Sequence, residues 1–153
     1  MTNHTPTKNT ISTSHSPGLG QCIANGAFGG LVGGMIFGLM MSMLGMIGTI
    51  AMLVGSKSTF VGWLVHLAVS MLIGAAFGLI VQDKLKSVTS GISLGIAYGI
   101  FWWILGGLIL MPSKLNMPLF HFNTMAWQSL MGHMVFGAVL GALAVVIPRR
   151  MHK

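Results

Sequence analysis

The chain has 153 residues, 54% of them hydrophobic and only 6% charged. A soluble domain carries about a quarter charged residues, so this chain lacks the surface of one. Its apolar runs are continuous and do not alternate, which excludes a membrane β-barrel. The net charge of +7 arises because Asp83 is the only acidic residue. The basic residues lie at the ends of the apolar runs, where they meet anionic lipid headgroups, so the charge does not point to nucleic acid.

Residues 1–19 are rich in Thr, Ser, Asn and Pro. They bury too little apolar surface to order themselves, which predicts a flexible polar tail. They lack the charged start and short apolar core of a signal peptide. Cys22 is the only cysteine, so no internal disulfide forms.

Residues 20–55 carry no acidic or basic side chain. One helix of that length would be about 54 Å, against a hydrocarbon core of about 30 Å. A break is therefore expected, at Gly45 and Gly48. The first span is placed near 22–45, followed by a short interfacial or re-entrant piece at 46–54 and a loop at 55–58. Gly26, Gly30, Gly34, Gly38 and Ser42 recur at every fourth position, and Gly29 and Gly33 widen the stripe.

The second span, near 60–82, has Gly62, His66, Ser70, Gly74 and Gly78 at the same spacing. Residues 82–86 form a polar turn, in which Asp83 is expected to cap or pair locally. The third span, near 88–111, carries Gly91, Gly95 and Gly99 on one face. Met111-Pro112-Ser113-Lys114 is expected to end it, since proline disfavours helix in the residue before it. Residues 115–122 form a loop. The fourth span, near 124–147, carries Ser129, His133, Gly137 and Gly141. Pro148-Arg149-Arg150 is expected to stop it, and residues 149–153 form a basic tail.

The predicted fold class is an all-α membrane protein with four transmembrane helices, arranged as two tandem hairpins, with a short interfacial helix near 46–54. The halves align. Gly30, Gly34, Phe37 and Gly38 match Gly91, Gly95, Tyr98 and Gly99, while His66, Ser70 and Gly74 match His133, Gly137 and Gly141. A two-span repeat keeps its orientation, as in parallel-repeat transporters, which puts His66 and His133 at equal depth. With four spans, both termini and the middle turn share a side holding Lys8, Lys84, Lys86, Arg149, Arg150 and Lys153. The other side holds Lys57 and Lys114. The positive-inside rule then places both termini in the cytoplasm and the protein in the plasma (inner) membrane. Trp63 and Trp127 start their spans at the outer interface.

Small residues let helix backbones approach closely in lipid. The stripes either close the four-helix core or face a second copy or another membrane protein. His66 and His133 are the first candidate site, because ionisable residues inside a membrane point to function. They could ligate haem iron or a copper or zinc ion, or each could bond a backbone carbonyl or hydroxyl on a neighbouring helix and lock the bundle. Met131-x-His133-Met134 and Met43-x-x-Met46 have spacings compatible with Cu(I). Methionine is equally a flexible filler between glycine helices.

Catalysis has little to draw on. Buried acidic relays are absent, and Ser70 lies one turn from His66 without an acidic third member. A non-enzymatic protein acting through assembly with itself or a membrane partner is the leading expectation. A haem or copper protein and a small-solute channel or carrier are the alternatives.

The runs GWLVHLAVSMLIGAAFG, YGIFWWILGGLILMP and SLMGHMVFGAVLGAL resemble those of small prokaryotic four-span integral membrane proteins of uncharacterised function. The resemblance covers most of residues 22–147. It implies a four-span inner-membrane protein and supplies no activity.

Overall fold

The computed structural model describes residues 18–81 and 84–151, with side chains as far as Ile147. The expected flexible tail before Gly18, the role of Asp83 and the basic side chains after Pro148 lie outside the described residues. Every element among those residues is helical. In chain order these are α1 (Leu19–Met43), α2 (Ile47–Met52), α3 (Thr59–Val81) and α4 (Val88–Trp102). A π-helical segment (Trp103–Leu110) follows, then α5 (Met111–Lys114) and α6 (Thr124–Met151). Four helical stretches are long and apolar enough to cross a membrane: Leu19–Met43, Thr59–Val81, Val88–Lys114 and Thr124–Ile147.

Glycine decides which helices touch. A Cβ at Gly26 would run into the Gly74 carbonyl, one at Gly30 into the Ser70 carbonyl and one at Gly78 into the Cys22 carbonyl. α1 and α3 therefore meet backbone to backbone. α4 and α6 meet in the same way, with Gly91 against Gly141, Gly95 against Gly137 and Gly99 against the His133 carbonyl. Gly29 and Gly33 do more than widen the α1 stripe. They form a second contact row, against Leu140 and Phe136 of α6. The helices are thus ordered α3, α1, α6, α4, and the stripes of α1 and α4 face into the chain.

These contacts shift the internal alignment by one helical turn. Gly30 faces Ser70 and Gly74, while Gly95 faces Gly137 and Gly141. Gly95, not Gly91, thus occupies the place equivalent to Gly30. A glycine at every fourth position looks the same after a one-turn slip, so spacing alone leaves that register open.

Three boundaries differ from expectation. The first break falls at Gly45, whose φ of +69° suits glycine. Gly48 instead lies inside α2. The third span does not end at Pro112 but continues to Lys114. The π-helical segment accounts for this. Pro112 has no N–H for the carbonyl four residues back, and the Phe120 N–H supplies one to Leu108 at 3.2 Å. Asn116, at φ +54°, ends the stretch. The fourth helix runs through Pro148 to Met151, since a proline's lost bond does not always end a helix.

α3 and α4 form the outer pair of this row. Tyr98 links them, donating its hydroxyl to the Ile73 carbonyl at 3.0 Å with its ring 5.0 Å from Phe77. Towards the end of the bundle that carries α2 and the 115–123 loop, a space separates the two hairpins.

Candidate functional site

That space is a cavity of about 610 Å³. Small-molecule sites commonly enclose about 300–1,000 Å³. Each layer of the fold supplies a wall. α1 contributes Phe37 and Met41, α3 contributes His66, Val69, Ser70 and Ile73, and α6 contributes Ser129, His133 and Phe136. The fourth wall is Trp102 with the π-helical segment, where Gly106 and Gly107 present bare backbone. Met46, Ile50 and Leu53, from α2 and its flanks, close the end together with Met117 and Pro118 of the loop. Lys114, His121 and Asn123 also line it.

The π-helical segment shapes this wall. π-turns occur mostly as single-turn bulges within α-helices, frequently at functional sites, and this segment extends over eight residues. Here the loop amide of Phe120 holds the turn open by bonding the Leu108 carbonyl. Trp103 then swings towards α6, and its Nε1–H donates to the Ala126 carbonyl at 3.0 Å. Its indole packs with Phe122 and Trp127, at centroid distances of 6.2 and 6.1 Å. The Trp102 Nε1 is buried without a hydrogen-bond partner.

His66 is 7% exposed, and its Nε2 lies 2.9 Å from the Gly34 carbonyl. Its Cδ2 is the ring atom nearest Gly38. The Cδ2–Nε2 edge therefore faces α1. A carbonyl only accepts, so Nε2 carries the proton and donates. His133 follows the same rule within its own helix, its Nδ1–H donating to the Ser129 carbonyl at 2.8 Å. The Ser129 hydroxyl sits farther from that nitrogen, at 3.4 Å. The bundle-locking alternative, a bond from each ring to a neighbouring helix, holds for His66, which ties α3 to α1, and not for His133, which bonds within α6.

The two imidazoles approach one another across Phe37. Its ring centroid lies 5.3 Å from that of His66 and 4.7 Å from that of His133, edge to face in both cases. Phe37 itself packs over the bare backbone of Gly132. Trp63 lies across Gly38 and meets His66 edge-on at 6.3 Å.

The methionine sets expected from spacing do not assemble. Met131 and Met134 are 61% and 37% exposed on the outside of α6, away from the cavity that His133 lines. Met43 is 88% exposed, whereas Met46 lines the cavity, so that pair also separates. Among the described residues, no group of three or more His, Cys, Asp or Glu is placed to hold a metal ion. Gly26, Gly30, Gly34, Gly38, Ser70, Gly74 and Gly78 are all consumed in packing α1 on α3, and Gly91, Gly95, Gly99, Gly137 and Gly141 in packing α4 on α6. Phe37, Trp102, Gly106 and Gly107 were not legible as site residues. Only Pro112 near an interrupted glycine pattern hinted at the wide turn.

Comparison of the chain with family models, with curated proteins and with solved structures finds no match.

Proposed function

We propose that this multi-pass membrane protein binds a small apolar molecule in the cavity between its hairpins, as a membrane-embedded binder or carrier and not as an enzyme. The observation that carries this reading is the cavity itself. It is apolar, of ligand size, and has an imidazole on each of two walls, from α3 and α6, either side of Phe37. Each hairpin is packed backbone to backbone along its glycine row, so the space lies between two tightly closed pairs. The resemblance to small prokaryotic four-span membrane proteins agrees with a plasma-membrane location and assigns no activity.

Assembly with itself or with a membrane partner would have to use surfaces other than the glycine stripes, which already meet each other inside the chain. A haem or copper site would use His66 and His133 from either side of Phe37.

Native mass spectrometry of the chain released from nanodiscs tests the reading. One apolar adduct per chain is expected from the wild type. Gly106→Phe should lose it. A Cβ at Gly106 meets nothing within 4 Å, so the new ring has room to enter the cavity. Wild-type protein that is folded yet carries no adduct would remove the binding reading. A haem or copper mass, with the matching optical spectrum, would replace it with the metal alternative.

A further inference from the structure

We infer that the cavity selects an apolar molecule with hydroxyl donors, a phenol, quinol or long-chain alcohol, because both histidines present a ring nitrogen lone pair to it. The inference rests on reading the cavity as a ligand site and specifies the polar chemistry of that ligand.

Tautomers carry the argument. The Gly34 carbonyl fixes the proton of His66 on Nε2, which leaves a lone pair on Nδ1 of the neutral ring. The Nδ1–Cε1 edge lies opposite the edge turned to α1, and the ring lines the cavity. The Ser129 carbonyl fixes the proton of His133 on Nδ1, leaving the lone pair on Nε2, at the tip of a ring that also lines the cavity. Neither of these two nitrogens has a protein hydrogen-bond partner among the described residues. His66 is otherwise buried, at 7% exposure. Neither nitrogen is sealed inside the protein, so both can be reached from the cavity, where a ligand hydroxyl can donate to them.

The walls then filter the donor. Ile73, Phe136, Trp102 and the Gly106–Gly107 backbone line the same space. An ammonium group would be stripped of water among these side chains with no carboxylate near it, since Asp83 is the only acidic residue in the chain. A charge buried unpaired is costly. A hydroxyl is neutral, donates one hydrogen bond and brings an apolar body suited to the rest of the space. A ketone or an ether of the same shape offers only acceptors, which suit the Trp102 Nε1–H but leave both histidine lone pairs unmet. A site built to hydrogen-bond a hydroxyl discriminates strongly against an analogue that lacks it.

The test pairs decylhydroquinone with its dimethyl ether, which keeps the apolar body and removes both donors. Equal amounts are added to the full chain in nanodiscs, and the ratio of the two adducts is read by native mass spectrometry. Wild type should favour the hydroquinone by about tenfold or more, since two hydroxyl hydrogen bonds are gained. His66→Phe and His133→Phe should each reduce the ratio, and the double variant should bring it to that of the surrounding membrane. The wild-type ratio stands alone if a variant does not fold. Equal adducts on wild type would overturn the hydroxyl inference and leave the cavity reading intact. No adduct of either would sink both. One bound metal ion per chain that blocks the hydroquinone would assign the lone pairs to metal and overturn the inference.

Discussion

Glycines in this chain have opposite jobs that composition does not distinguish. At Gly95 a Cβ would collide with the Gly137 carbonyl, which is backbone and cannot turn aside. Gly95→Leu should therefore push α4 off α6 and destabilise the protein by about 3 kcal/mol or more, at the upper end of overpacking costs. At Gly48, inside α2, a Cβ meets nothing within 4 Å. Gly48→Ala should gain about 0.5–1 kcal/mol from helix propensity. Thermal unfolding of both variants, followed by size-exclusion chromatography in mild detergent, checks the pair. If Gly95→Leu melts with wild type, the close backbone contact of α4 and α6 is not what holds that hairpin together. The same contrast explains what was readable in advance. The fourfold spacing marked the packing faces of all four spans. It did not fix their register, because glycine leaves no side chain to tell one turn from the next.

The π-helical segment is where sequence reasoning stopped. Pro112 signalled a disturbance, and the rule that proline ends helices placed a terminus there. The outcome depended on a partner that pattern cannot supply, the Phe120 N–H from eight residues farther along, bonded to the Leu108 carbonyl. With that carbonyl occupied, the helix widens and continues to Lys114. The widening turns Gly106 and Gly107 to the cavity, and sets Trp103 against α6. The candidate site was half legible for the same reason. His66 and His133 stood out as ionisable groups within apolar runs, but Phe37 and Trp102 look like any lipid-facing aromatic until the helices are packed. Pro112→Ala restores an N–H that competes for the Leu108 carbonyl and should draw the segment towards ordinary α-helix. Phe120 would then lose a bond of about 1 kcal/mol, and its amide should exchange about fivefold faster. Hydrogen–deuterium exchange across residues 115–123 measures this. Unchanged exchange at Phe120 would show that the missing proline donor does not hold the wide turn.

The four spans set a relation between the cavity and the two faces of the membrane. The cavity lies at the end of the bundle formed by α2 and the 115–123 loop, where Lys57 and Lys114 are the basic residues. Among the described residues, Lys84 and Lys86 follow α3 at the opposite end, and the sequence assigns Lys8, Arg149, Arg150 and Lys153 to the same side by counting spans. Short cytoplasmic loops accumulate Lys and Arg because translocating them is unfavourable. That bias predicts a cavity in the outer half of the bilayer, with a ligand entering from the outer leaflet or from outside the cell. Alkaline phosphatase, which is active only after export, reads this directly. A fusion after Ser56 should be active, and fusions after Lys86 or Lys153 should be inactive. Moving the bias should move the topology. Replacing Lys84, Lys86, Arg149 and Arg150 with glutamine while adding lysines beside Lys57 is expected to raise activity at the C-terminal fusion. If the wild-type fusions report the reverse pattern, the cavity faces the cytoplasm, and its ligand must be sought among molecules made and kept inside the cell.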